Sequence, residues 1–98
     1  MAYRAVNPYN GKLIKEFPVA TDTEVEQALK NAHEFYLTAK SQPIKERAAL
    51  LAALADEFLN KIDYYAKFLT TNMGKLIGSA RGEVQKNAAF SRYYAKYG

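Results

Sequence analysis

From Thr21 to the end of the chain, apolar residues recur every three or four positions, in four runs separated by residues that start or stop helices. That spacing matches the 3.6-residue turn and commits most of the chain to amphipathic helices. Thr21-Asp22-Thr23-Glu24 is a capping-box pattern: the threonine hydroxyl accepts a free backbone amide three residues on, and the glutamate reaches back to the threonine amide. It predicts a first helix over 22–39, with Val25, Ala28, Leu29, Ala32, Phe35 and Tyr36 forming one buried stripe. Ser41 as a cap and Pro43 in a first turn predict a second helix over 43–60. Its stripe of Ile44, Ala48, Leu51, Leu54, Ala55 and Phe58 is widened by Ala49, Leu50 and Ala52, which predicts burial on more than one side. A third helix over 62–73 presents Tyr65, Ala66, Leu69 and Met73, with Gly74 placed to be its left-handed cap. A fourth over 76–97 has a face of small residues, Ala80, Val84, Ala88, Ser91 and Ala95, flanked by Phe90 and Tyr94.

The segment before Thr21 has a different grammar. Tyr3 to Val6, then Asn7-Pro8-Tyr9-Asn10-Gly11, then Leu13 to Val19 reads as strand, turn and strand, a hairpin over 3–19 that Pro18 ends or confines to an edge. A lone hairpin is marginal in water, so this one is expected to lie against something larger. The expected fold class is mostly α: a bundle of about four helices with a short N-terminal β-hairpin, all in one segment spanning 1–98. Tyr-Tyr-Ala-Lys occurs at Tyr64 and again at Tyr93, but the flanking residues differ and no repeat is inferred.

Composition removes several kinds of chemistry. Of 98 residues none is cysteine, so disulfides, zinc-thiolate sites and thiolate nucleophiles are excluded. The longest apolar run, Ala48 to Ala55, is far below the roughly 20 residues a membrane-spanning helix needs. The start, Met1-Ala2-Tyr3-Arg4, has no apolar core of a secretory signal, and a cytoplasmic location without a membrane partner is the expectation. The net charge of +4 concentrates after Arg81, where Lys86, Arg92 and Lys96 stand against Glu83 alone, with Tyr93, Tyr94 and Tyr97 among them. Basic residues mixed with aromatics are one footprint of a polyanion-binding module. No recognised nucleic-acid motif accompanies them, and a solvated helix face with snorkelling lysines is the favoured reading, so no nucleic-acid partner is expected.

No residue is assigned a catalytic, cofactor-binding or metal-binding role. Gly74-Lys75 is not a phosphate loop, because that spacing needs glycine where Leu69 stands and serine or threonine where Leu76 stands. Gly74, Gly78 and Gly82 recur every four residues outside any apolar 20-mer, which favours a cap at the first and tight packing or local weakness at the others. His33, the single histidine, is read as a surface or packing residue. Asp56 and Glu57 are adjacent on a helix and point about 100° apart, too far to share a proton. No Gly-x-Gly-x-x-Gly pattern is present.

Taken in order, Asn7-Pro8, Gly11, Val19-Ala20-Thr21, Glu24, Val25, Ala28, Ala32-His33, Pro43, Glu46-Arg47-Ala48, Leu51, Met73-Gly74-Lys75, Ala80-Arg81, Glu83-Val84 and Tyr94-Ala95 resemble the start of the aldehyde dehydrogenase superfamily. Nearly the whole chain is covered, and the wording is most similar to the succinate-semialdehyde dehydrogenases. Ala39, Asn72, Leu76 and Gly78-Ser79 depart from the family's usual tryptophan, glutamate, proline and Ala-Glu, at positions that do no chemistry.

The resemblance implies the helical outer part of an α/β nucleotide-binding domain, belonging to an enzyme that oxidises an aldehyde to its acid with NAD or NADP. In that family a thiolate attacks the aldehyde, an asparagine and a backbone amide hold the oxyanion, and a glutamate helps water release the acid. All those groups lie beyond the matched region, so the 98 residues alone are expected to be inert and to bind no cofactor. The resemblance would place Asn87 and Phe90 near the family's substrate tunnel, but a reading of both as core residues is favoured. The expected partners are the remainder of its own polypeptide, an aldehyde in the parent enzyme, and a second copy of the chain covering apolar surface. The competing reading is a self-contained basic helical module.

Overall fold

The computed structural model describes residues 2–98. Strands β1 (Tyr3–Val6) and β2 (Leu13–Phe17) form an antiparallel hairpin, followed by helices α1 (Asp22–Ala39), α2 (Ile44–Asn60), α3 (Ile62–Met73) and α4 (Ile77–Tyr97). The chain is mostly α, with the two strands as its only sheet among the described residues.

Local chemistry accounts for most of the boundaries. The Asn7–Gly11 turn closes with the Gly11 amide donating to the Asn7 carbonyl at 2.8 Å, while the Asn7 and Asn10 side chains accept the amides of Tyr9 and Lys12 at 2.9 Å each. Gly11 takes φ of 70°, which a side chain would resist. The register sets Arg4 opposite Glu16 and slips between Ala5 and Val6, a bulge that tightens the ribbon's twist. At α1 the full capping box forms, with Thr21 Oγ1 accepting from the Glu24 amide at 3.1 Å and Glu24 Oε2 from the Thr21 amide at 3.0 Å. Helix α2 differs from expectation: Pro43, not Ser41, is its N-cap, and no side chain caps it, because Ser41 is drawn into the turn that closes α1 with its amide on the Thr38 carbonyl. A single residue, Lys61, ends α2 and begins α3, and Gly74 at φ of 74° closes α3.

Packing centres on α4. Its small face lies against α2 and α3, and Ala80, Val84 and Ala88 are buried there with Ala55 and Ala66. Phe58, Ile62, Tyr65 and Leu69 close around that cluster, and Phe58 meets Tyr65 edge-on at 5.4 Å. These five are the whole buried core among the described residues, and none is larger than valine.

Two expectations are corrected. The α1 stripe is not buried: no residue of α1 is, and Leu29 is 63% exposed, because α1 makes no substantial contact with another element. Helix α2 is covered on one side only, leaving Leu50 at 72%, and Met73 likewise stands out from the buried side of α3. Apolar periodicity marks a face that prefers cover, and among the described residues nothing covers those faces. The dimensions agree. The radius of gyration is 17.5 Å, where a compact domain of this length has about 13 Å. The principal extents are 47 × 39 × 16 Å, so the thinnest dimension is little more than one helix diameter. The accessible surface is 8002 Å², against about 5,600 Å² for a compact monomer of this mass, an excess of about 2,400 Å².

Candidate functional site

A furrow of about 620 Å³ runs along the uncovered side of α2, lined by Arg47, Leu50, Leu51, Ala53, Leu54 and Glu57. Those residues recur at helical spacing, so the furrow follows the helix for three turns with apolar walls and one charge at each end. It holds no nucleophile and no pair of acids, and it suits an apolar side-chain stripe better than a polar substrate.

Glu57 is committed within the chain. Lys61 Nζ lies 2.9 Å from Glu57 Oε1, and the Tyr65 hydroxyl donates to the same oxygen at 3.1 Å. Hydrogen bonds from Lys61 first, and Tyr65 second, hold the Glu57 carboxyl below its ordinary range. The carboxylate in turn raises both Lys61 and Tyr65. The cluster clips the α2–α3 junction, which is otherwise a single residue wide.

The residues singled out from sequence resolve into structural roles. Asp56 and Glu57 diverge as expected, Asp56 pairing with Arg92 on α4 at 2.9 Å. Gly74 is the cap, and Lys75 pairs with Glu83 at 2.6 Å instead of standing free for an anion. Gly78 and Gly82 face open space, with nothing within 4 Å of an added Cβ, so tight packing within the chain is not their reason. His33 is exposed, its ring 6.3 Å from that of Tyr36. Asn87 and Phe90 are both exposed, so the core reading of these two is corrected.

The basic end of α4 is also largely accounted for. Arg81 pairs with Asp63 on α3 at 2.7 Å, and Arg92 with Asp56. Lys86 and Lys96 lie over the Phe90 and Tyr97 rings at 5.6 and 5.2 Å. Sequence inspection missed both arginine pairs, since their partners lie 18 and 36 residues away and only the helix packing brings them together. Among the described residues no group of three His, Cys, Asp or Glu side chains could hold a metal, and no helix is long and apolar enough to cross a membrane.

The pattern of the aldehyde dehydrogenase family matches residues 1–98, end to end. The chain belongs to that family. An NADP+-dependent succinate-semialdehyde dehydrogenase of Deinococcus radiodurans is 34% identical over 96 residues, which are 98% of this chain and 20% of that protein. A malonate-semialdehyde dehydrogenase of Bacillus pumilus is 38% identical over 80 residues, 82% of this chain and 16% of that protein. Among solved structures, succinic semialdehyde dehydrogenase from Streptococcus pyogenes in complex with NADP+ superposes with a TM-score of 0.90 at 33% identity, over 97% of this chain and 21% of that one. The chain thus spans about a fifth of the length of the curated relatives it matches. Within this aldehyde dehydrogenase segment the furrow walls are leucine and alanine, and the sequence holds no Gly-x-Gly-x-x-Gly pattern.

Proposed function

We propose that these 98 residues form the N-terminal fifth of a longer, cytoplasmic aldehyde dehydrogenase that oxidises a short aldehyde bearing a second carboxylate, succinate semialdehyde foremost, to the diacid. The printed activities of the relatives support that substrate class, and NADP+ as the favoured coenzyme, because the Deinococcus enzyme is named for it and the Streptococcus structure contains it. The segment's own role is scaffolding. Its α2–α4 seam gives a flat plate of helices, and its uncovered apolar faces are docking surface for the remaining polypeptide. By itself the chain turns over no aldehyde, since it contains no cysteine to attack one.

The observation that carries this reading is the excess of about 2,400 Å² of accessible surface on a chain whose fold superposes at a TM-score of 0.90 on a fifth of a known enzyme. Obligate interfaces that resemble a domain core cut in half are of that size. The competing reading as a basic module is weakened by the Arg81–Asp63 and Arg92–Asp56 pairs, which neutralise half of the basic cluster.

An activity assay on the longer protein tests the proposal. It is expected to form reduced NADP from succinate semialdehyde with a higher kcat/KM than from an uncharged aldehyde of similar length, while the 98-residue chain forms none. A longer protein without aldehyde oxidation, or one preferring uncharged aldehydes, contradicts the enzyme reading or the substrate class respectively.

A further inference from the structure

Asparagine is chemically labile where the next backbone nitrogen can attack its side-chain amide, and the six asparagines of this chain differ sharply in that respect. Asn7 precedes Pro8, which has no N–H proton to give up. Asn31, Asn72 and Asn87 lie inside helices and Asn60 ends α2, so a helical backbone holds each following amide on a carbonyl one turn back. Asn10 alone is followed by glycine, and it sits in the exposed turn between β1 and β2.

The turn prepares that attack and restrains it with one bond. Asn10 Oδ1 accepts the Lys12 amide at 2.9 Å, which folds the side chain back over the peptide that follows, sets Cγ beside the Gly11 nitrogen and draws electron density from Cγ. Gly11 has no side chain to shield its nitrogen, and nothing lies within 4 Å of where a Cβ would stand. Against this, the Gly11 amide donates to the Asn7 carbonyl at 2.8 Å and must let go before it can lose its proton. That bond is held by a two-stranded ribbon in which every strand residue but Ala5 is exposed, and whose main contact with the helices is β1 on α3. Such a ribbon is marginal in water and opens locally.

We propose that Asn10 is a self-modification site, converting through a cyclic imide to isoaspartate and aspartate, with the Gly11–Asn7 hydrogen bond as its gate. When the hairpin opens, hydroxide takes the Gly11 amide proton and the nitrogen bonds to Asn10 Cγ; the Cγ–Nδ2 bond breaks, and Nδ2 leaves as ammonia with a proton from water. Water then opens the imide. Cleavage of the new bond to Cγ gives aspartate, and cleavage of the bond from the Gly11 nitrogen to the main-chain carbonyl carbon of residue 10 gives isoaspartate. The sum consumes one water and releases one ammonia, with no oxidant, reductant or cofactor. Either product puts a carboxylate where the chain had a neutral amide, and isoaspartate also lengthens the main chain by one carbon within the turn. The hydrogen bonds of Gly11 and Lys12 then no longer fit the turn, and Pro8, which lies 3.2 Å from where a Gly74 Cβ would stand, loses its seat on the α3 cap. The proposal is independent of the enzyme reading, and its failure leaves the activity test above untouched.

Peptide mapping of the 98-residue chain, aged in neutral and in mildly alkaline buffer, tests it. Trypsin cuts after Arg4 and Lys12, and the peptide 5–12 should gain a carboxyl in place of an amide, localised to Asn10 by fragmentation and present as both isomers. Its rate should rise with hydroxide, while the other five asparagines stay intact. Urea should speed the conversion about 5- to 30-fold, as the loss of a weak local closure does. Asn10→Gln should abolish it, since the longer side chain no longer closes a five-membered ring, and helicity by circular dichroism should stay unchanged because the turn lies outside the helices. Three results each overturn the proposal: Asn10 intact in the folded chain once the unfolded chain has converted, conversion at another asparagine at the same rate, or a rate in urea no faster than in buffer.

Discussion

The Tyr65 hydroxyl reaches back across the α2–α3 junction and donates to Glu57 at 3.1 Å, on the carboxylate oxygen that also takes the Lys61 ammonium. Three side chains thus brace a corner whose backbone is a single residue, Lys61.

The pH dependence of that corner follows from the directions of its shifts. Glu57 is held below its ordinary 4.5, so its contribution is present above that value and is lost as pH falls through the lowered folded value. Lys61 is raised above 10.5 and Tyr65 above 10.0, so theirs are present below those values and lost as pH rises through the raised ones. Urea midpoints should therefore form a plateau between these limits and fall at both ends. Tyr65→Phe should soften the alkaline edge while leaving the Glu57–Lys61 pair to shape the acid one.

The two kinds of glycine in α3 and α4 should respond in opposite senses. Gly74→Ala places a side chain at φ of 74° and 3.2 Å from the Pro8 ring, costing about 1–2 kcal/mol. Gly82→Ala meets nothing within 4 Å inside a helix, and should stabilise the isolated chain by about 0.5–1 kcal/mol. Paired denaturant titrations of the two variants check the signs.

Overpacking is the sensitive fault in a core made of alanine. Ala88 is 1% exposed on the face of α4 that meets its neighbours, and Ala88→Leu should destabilise by about 1–3 kcal/mol as the helices are forced apart. Ala89→Leu, one position along on the exposed side, should change stability by less than about 0.5 kcal/mol.

Thr21→Ala removes the hydroxyl that accepts the Glu24 amide. Since α1 has no buried face to hold it, the loss of about 1 kcal/mol falls on the helix itself. Amide exchange in the first turn of α1 should accelerate by about fivefold, with α4 unaffected.

What could be read from the sequence was what local chemistry decides. The Thr21–Glu24 box, the Gly74 cap and the small face of α4 depend on residues within a turn or two of one another, and each appears where its spacing put it. The fate of the α1 and α2 stripes could not be read, because Leu29 and Leu50 carry the periodicity of buried residues whether or not a neighbour arrives. Nor could the Arg81–Asp63 and Arg92–Asp56 pairs, which depend on how α4 is set against its neighbours. The α2 furrow went unseen for the same reason: it is the side of a helix left over once α4 has taken the other.

The reading frame beyond the codon for Gly98 tests the account most directly. The account predicts an open frame of about four times as many residues again, as in the relatives of which this chain matches a fifth, carrying a glycine-rich nucleotide loop and a nucleophilic cysteine. A stop codon directly after Gly98 would contradict it, leaving a helical chain whose apolar faces only a partner could cover.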